Sequence, residues 1–304
     1  MLRKVVFMIG EEILQRNVLC GESILLDELR EHGVEISIGA GTQVGHWARS
    51  TQMGQDYAVH HGEDIENILY VTDSEVVYRT LKQQGRYVLP YRHEANAEAV
   101  FTGALYVIEQ IEEVSFGTIE MAYRRLAGLP WEILTTKRCI IRETTEEDVD
   151  SFYKIYAEPI ITEYMEDLYA DRDEEIAYVR DYREKVYSFY GYGMWTVLTK
   201  DGTVIGRAGI SWHEGFELPE LGFVIGVPWQ RQGYAYEVCR AILDYGHEEL
   251  GFTQVQALVM EGNEKSAALC RKLGFKQEEN VVSEEEYVMY RYCVTDEYKD
   301  IEVK

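Results

Sequence analysis

Cysteine is sparse and scattered in this chain. The five residues, Cys20, Cys139, Cys239, Cys270 and Cys293, form no CxxC pair. That spacing excludes a disulfide framework and a thiolate zinc site, and it fits free thiols in a reducing compartment. Basic residues are also short: 30 lysines and arginines against 54 aspartates and glutamates give a formal charge of −24. A surface so acidic repels nucleic acid and anionic membrane and favours cationic partners. No apolar stretch approaches the length of a membrane span. The first apolar run is cut by Glu11 and Glu12, too early for a signal peptide. The expectation is a cytoplasmic protein that binds neither nucleic acid nor membrane. His60 and His61 are adjacent and point different ways on a helix or a strand, so they read as surface histidines and no metal is expected. Internal repeats and low-complexity segments are absent too.

What is present is ample core material. The hydrophobic fraction is 46% over 304 residues, enough for two domains of ordinary size. The boundary falls in "LAGLPWEILTTKRC", where Gly128 and Pro130 end a helical pattern and a strand begins near Arg138. Residues 1–130 alternate strand and helix: "KVVFMI", "ILLDELREHG", "VEISIGAG", "NILYVTDS", "EVVYRTLKQQG" and "YVLPY", with "AVFTGALYVIEQIEEV" read as mostly helix or strand-to-helix. Such alternation predicts right-handed crossovers and a parallel, Rossmann-like α/β sheet. Residues 138–293 read as an α+β domain with a mixed, mainly antiparallel sheet flanked by helices. Its strands include "MWTVLTK" and "TVIGRAGISWH", joined by the hairpin signal Asp201-Gly202. Residues 294–304 form a polar tail.

The informative stretch is "PWQRQGYAYEV", residues 228–238. A strand ends near Val227 and a helix opens at Tyr234. The first N–H groups of that helix lack intrahelical partners and sit at the positive end of its dipole. Gly233 lets a ligand approach the backbone without meeting a Cβ. Together these make an anion site. Val238, Ala241, Ile242 and Tyr245 fall on one face and would anchor the helix to a sheet. The plainer alternative is a strand-to-helix turn, which a single glycine does not exclude.

Context decides between them. "LGFVIGVPWQRQGYAYEVCRAILDYGHEELG" resembles the acetyl-CoA-binding core of the GNAT acyltransferase superfamily, with Gln230, Gly233 and Ala235 at its pattern positions. Downstream, "NEKSAALCRKLGF" is similar to that superfamily's second landmark, and upstream "RCIIRETTEEDVDSFYKIY" to its first strand and helix. The likeness is strongest to the branch of ribosomal-protein and polyamine acetyltransferases. The resemblance implies an acetyl-CoA-dependent N-acetyltransferase. The pyrophosphate of the cosubstrate would lie on the N–H groups of Arg231, Gln232, Gly233, Tyr234 and Ala235. Its pantetheine would add like a strand along Phe223, Val224 and Ile225, where a main-chain N–H would hold the oxyanion. Asn263 and Ser266 would meet the cofactor arm, and Asn263 also suits a helix N-cap.

An ammonium acceptor must lose a proton before it attacks, so a base is needed. Glu220, ten residues before Gln230, is the candidate, since this branch often places an acid there. A structural salt bridge is the alternative, and His213 and Glu217 compete for the role. Relatives often carry a tyrosine general acid seven residues after the asparagine. That position is Cys270 here, so Tyr287, Tyr290, Tyr292 or water becomes the expected source of the proton. Glu163, Glu166, Asp167 and Asp171, interleaved with tyrosines, would wall a pocket for a cationic amine, or else form a solvated acidic face.

The first domain is similar, over residues 23–115, to haloacid-dehalogenase-like phosphatases. "VTDS" stands for their acidic strand end and Thr42 for their hydroxyl position. It lacks the Asp-x-Asp nucleophile pair, since the first strand ends "MIGEE". The expectation is therefore a degenerate, non-hydrolytic domain serving ligand binding, homodimer formation or stability, with Asp73 as a ligand contact. Three readings stand at this point: transfer of acetyl to a primary amine; an acetyl-CoA sensor or scaffold without turnover, suggested by Cys270; and, against the missing nucleophile pair, an active phosphatase in the first domain.

Overall fold

A computed structural model describes residues 1–19, 24–39, 65–212, 215–278 and 287–293. Thr42, His60, His61, His213 and the tail 294–304 lie outside them. The chain divides into two compact units, Met1–Trp131 and Glu132–Lys304. No helix among the described residues is long and apolar enough to cross a membrane.

The first unit is built on strands β1 (Lys4–Met8), β2 (Glu35–Ile38), β3 (Ile68–Thr72) and β4 (Tyr87–Pro90). They pair in the order β2-β1-β3-β4, and every pair is parallel. All five residues of β3 are buried, as a strand covered on both faces requires. The helices are α1 (Leu25–Glu31), α2 (Glu75–Gln83) and α3 (Phe116–Leu126). Ser74 caps α2, its side chain accepting the Val77 N–H. The segment 99–114, expected as mostly helix or strand-to-helix, forms no α-helix. Ile108 instead pairs beside Tyr91 as a parallel bridge, its N–H bonding Pro90 O, and only Ile111–Glu113 winds a short 3-10 turn. Gly103, at φ +72°, breaks any helical run there. Phe101, Ile108 and Ile111 are buried from this irregular path, so their apolar character marked a core contact and not a period.

The second unit holds β5 (Glu132–Thr135), β6 (Cys139–Arg142), β7 (Met194–Thr199), β8 (Val204–Trp212), β9 (Pro219–Ile225), β10 (Gln254–Met260), β11 (Lys276–Gln277) and β12 (Tyr287–Cys293). They form one sheet ordered β11-β12-β10-β9-β8-β7-β6-β5, antiparallel everywhere except between β9 and β10. Strand β5 occupies a segment whose sequence reads as linker. The helices are α4 (Val149–Tyr156), α5 (Arg172–Tyr182), α6 (Tyr234–Glu248) and α7 (Glu264–Leu273). Helices α6 and α7 bury Val238, Ile242, Cys270 and Leu273 in one core with Trp195, Ile210 and Leu221. On the other face, Phe152, Ile155 and Tyr156 of α4 pack with Ile161 and Val224.

A buried ion pair fixes the start of this unit. Asp148, 2% exposed, takes both terminal nitrogens of Arg142 at 2.7 Å and also accepts from Thr145 N at 2.8 Å and Thr196 Oγ1 at 2.9 Å. Burial alone would raise its carboxyl, but these bonds outweigh it and hold it below the usual carboxylate range. Asp148→Asn should destabilise this unit by about 3–5 kcal/mol, because Arg142 is left uncompensated. An acid with a depressed folded value contributes fully above its unfolded value of about 3.9 and loses that contribution as pH falls toward the folded one. Urea midpoints measured between pH 7 and pH 3 should therefore fall in the wild type and converge on those of the variant. A constant gap across that range would contradict the assignment.

Candidate active site

Strands β9 and β10 pair at one position only, Glu220 beside Gln256. Beyond it the two strands part, and a cleft of 740 Å³ opens between the remainder of β9, the remainder of β10 and the start of α6. The backbone on the β9 side is oriented by its other neighbour. Gly226 N–H bonds Ile205 O on β8, so strand alternation turns the polar groups of Ile225 and Phe223 the opposite way, toward the cleft. There Gln230 Nε2 donates to Ile225 O at 2.8 Å, so Gln230 braces the strand end.

At the far end of the cleft Gly233 is the N-cap of α6, at φ +84° and ψ 2°, with no side-chain cap. Arg231 before it, at φ +59°, is the one non-glycine residue with positive φ among those described. This left-handed turn directs unsatisfied helix N–H groups outward. Arg138 locks the turn from outside. Its guanidinium bonds Gln232 O at 2.9 Å and Glu237 at 2.6 Å, and lies 4.1 Å from the Tyr234 ring. Burial pushes Glu237 up, but hydrogen bonds from Thr136 and Arg138 hold it below the ordinary range. Sequence reasoning did not find this clamp. Its partners are 99 residues apart, so no local pattern signals it.

Of the residues expected to hold a cofactor, Phe223, Val224, Ile225, Gln230, Arg231, Gly233, Tyr234, Ala235, Asn263 and Ser266 line the cleft. Gln232 does not: its amide donates to Pro228 O and its carbonyl faces Arg138. Asn263 caps α7, Oδ1 accepting the Ser266 N–H at 3.1 Å. Glu220 lines the cleft where the strands begin to part. By the two-residue period it shares the face of Val224, which packs under α4. Glu217 is exposed and does not line the cleft.

The acidic wall is mostly structural. Glu163 lines the cleft, whereas Glu166, Asp167 and Asp171 do not. Asp171 caps α5, accepting from Asp173 N and Glu174 N, and Asp167 accepts from Leu168 N. Beside Glu163 stands Tyr164, which sequence reasoning passed over. It lines the cleft, a Cβ at Gly262 would sit 3.7 Å from its hydroxyl, and its hydrogen bond to Glu163 raises it above an ordinary phenol.

The other expected proton donors lie elsewhere. Cys270 is fully buried against Cys239 in the core and does not line the cleft. Tyr290 and Tyr292 are buried with their hydroxyls bound to Arg271 and Arg240. The Tyr287 side chain is outside the described residues.

Residues 138–276 match the family model described as an acetyltransferase (GNAT) domain. The chain is 25% identical over 146 residues to the uncharacterized N-acetyltransferase YnaD of Bacillus subtilis (strain 168), covering 48% of this chain and 83% of that protein. It is 27% identical over 153 residues to the uncharacterized N-acetyltransferase YoaA of the same organism, covering 48% and 84%. It is 26% identical over 164 residues to the [ribosomal protein uS5]-alanine N-acetyltransferase of Escherichia coli (strain K12), covering 50% and 82%.

The burial of Cys270 has a direct chemical consequence. Desolvation pushes its thiol up to about 12, so it holds no thiolate near neutrality. Iodoacetamide at pH 8 should leave Cys139, Cys239 and Cys270 unmodified in the native protein and label the exposed Cys293, and in denaturant it should reach all five cysteines of the chain, Cys20 included. Mass spectrometry reads the pattern directly. Native labelling of Cys270 would place it at an open surface after all.

Proposed function

Because residues 138–276 are a GNAT acetyltransferase domain, the chain is an acetyltransferase, and we propose that it moves acetyl from acetyl-CoA to a primary amine by direct transfer. Acetyl-CoA is the cosubstrate of this family and supplies an activated acyl carbon. The observation that carries the reading is the parting of β9 from β10 into a cleft that ends at the uncapped N-terminus of α6.

The roles follow from that geometry. The N–H groups around Gly233 are suited to the pyrophosphate, with Arg231 adding charge at the cleft wall. The cleft-facing main chain at Phe223 and Ile225 is suited to pair with the pantetheine amides, and the Phe223 N–H to stabilise negative charge on the acyl oxygen. Glu220 takes the proton from the acceptor ammonium, directly or through one water, freeing its lone pair to form the C–N bond. As the C–S bond breaks, Tyr164 is the hydroxyl we place to return a proton to sulfur, since it lines the same cleft while Cys270, Tyr290 and Tyr292 do not. The sensor alternative rested on Cys270. Buried away from the cleft, that residue says nothing about turnover, and no observation favours the alternative.

For the acceptor, the cleft offers Glu163 and the aromatic ring of Tyr164, which suit a small cationic amine or a peptide N-terminus. The relative that acts on an N-terminal alanine of a ribosomal protein supports the second choice, and the chain's charge of −24 supports the first.

Two measurements test the reading. Gly233→Val forces a β-branched residue into φ +84° and places a side chain against the phosphate cradle. Acetyl-CoA affinity by isothermal titration should fall more than about tenfold while the far-ultraviolet spectrum is kept. Unchanged affinity would reduce the loop to a turn. Glu220→Gln keeps the shape but cannot accept the proton, so turnover on an amine should drop by roughly 10²–10⁴ with cofactor binding intact, and the acidic limb of the rate profile should shift or vanish. Loss of binding and stability together would make Glu220 structural. Little change in either would move the role to another group.

A further inference from the structure

A row of polar side chains crosses one face of the second sheet. Ser211 of β8 is paired with Glu220 of β9, Glu220 with Gln256 of β10, and Gln256 with Arg291 of β12. Residues paired directly across neighbouring strands project from the same side of a sheet. The neighbours along β10 say which side. Val255, Ala257 and Val259 are buried in the core with α6 and α7, so Gln256 between them turns to the opposite face. That face carries Glu220 and Val224, and Val224 packs under α4.

Within that row Gln256 is the residue packing does not account for. It is 1% exposed, and its Nε2 has no hydrogen-bond partner among the described residues. A buried amide nitrogen left without a partner is unfavourable, and an apolar side chain of similar length would fill the same space without that cost. Its place in the sheet is specific. Strands β9 and β10 pair only at Glu220 and Gln256, so the amide stands at the closed end of the cleft, one strand behind the carboxylate that lines it. Gln256 does not itself line the cleft, so any effect it has on a bound acceptor passes through Glu220.

The neighbour on its other side is already engaged. The charge of Arg291 is met by Glu278 at 3.2 Å, and a guanidinium accepts no hydrogen bond. Ser211 lies beyond β9, one strand further away. The adjacent side chain on this level that can accept from Gln256 is therefore the Glu220 carboxylate. Neighbouring strands are ~4.8 Å apart, which brings the ends of two such side chains within the span of one water. Polar groups separated by more than about 3.5 Å are joined in that way, and a buried polar space is where such a water is held.

We propose that Gln256 is a positioning residue for the base: its amide donates through one buried water to the Glu220 carboxylate and holds it in the orientation that takes the proton from the acceptor ammonium. Gln256 gains and loses no proton in this role. The proposal rests on the acetyl-transfer reading with Glu220 as base. Gln256→Met, unbranched and of similar length, removes the donor and keeps the shape, and Gln256→Leu removes it in a second shape. The full chain is assayed with acetyl-CoA and with spermidine and an N-terminal alanyl peptide as acceptors. Turnover should fall by about tenfold or more in either variant, with acetyl-CoA affinity and the urea midpoint kept. In a Glu220→Gln background, Gln256→Met should cost nothing further, because the two residues act as one unit. Additive losses in the double variant, or turnover, affinity and midpoint falling together in both single variants, would make the amide structural and overturn the proposal. Unchanged turnover in both variants, alongside a slow Glu220→Gln, would remove this role and leave the base in place. A wild type that acetylates neither acceptor, or a Glu220→Gln that turns over normally, would instead remove the reading beneath it, and this role with it.

Discussion

The interaction on which the second unit depends is one that stops. Two parallel strands, β9 and β10, share a single paired position and then separate. Main-chain N–H and C=O groups inside a protein must find partners, so an open seam within a sheet is costly unless something occupies it. One partner is internal: Gln230 turns back to Ile225 O. The rest of the seam borders the cleft, where an extended, amide-bearing ligand would find main-chain partners.

The far end of the cleft follows from the same break. Strand β9 keeps β8 but not β10 as its neighbour up to Ile225, and the turn that leads to α6 uses Arg231 and Gly233 in left-handed conformations. Arg231 is the one non-glycine residue with positive φ among those described, and its turn is held by a clamp distant in sequence. Arg138 bonds Gln232 O and pairs with Glu237 in the first turn of α6. An acid in the first helical turn would ordinarily compete with a bound anion for the dipole. Paired with Arg138 and Thr136, Glu237 has its charge compensated, and the N–H groups of α6 stay available.

What could be read from the sequence were the features encoded locally. The Asp201-Gly202 hairpin, the Asn263 cap of α7, the start of α2 after "VTDS" and the glycine before α6 each rest on a few neighbouring residues whose backbone preferences leave little choice. The segment 99–114 failed for the converse reason. Its apolar residues are placed by a non-local pairing of Ile108 with the end of β4, which no window of that segment contains. The acidic wall failed similarly. Composition counted Glu166, Asp167 and Asp171 toward a pocket, but a carboxylate beside free N–H groups at a helix start is drawn to cap it, as Asp171 does. Tyr164 was missed because only the return of β10 at Gly262 brings it to the cleft.

The two halves of the chain solve the same problem with different sheets. Each has a concave place where neighbouring strands or their connections part. In the all-parallel sheet this happens between β1 and β3 because the chain reverses direction across the sheet, with pairing itself kept intact. That cavity must be finished by side chains, and Asp73, His93, Asn96 and Tyr91 supply a hydrogen-bonded network. In the mixed sheet the pairing itself is given up beyond Glu220, which leaves main-chain groups of β9 on the cleft wall. The two cavities therefore differ in kind: one is bordered chiefly by side chains, the other by the main chain of β9 and the turn before α6.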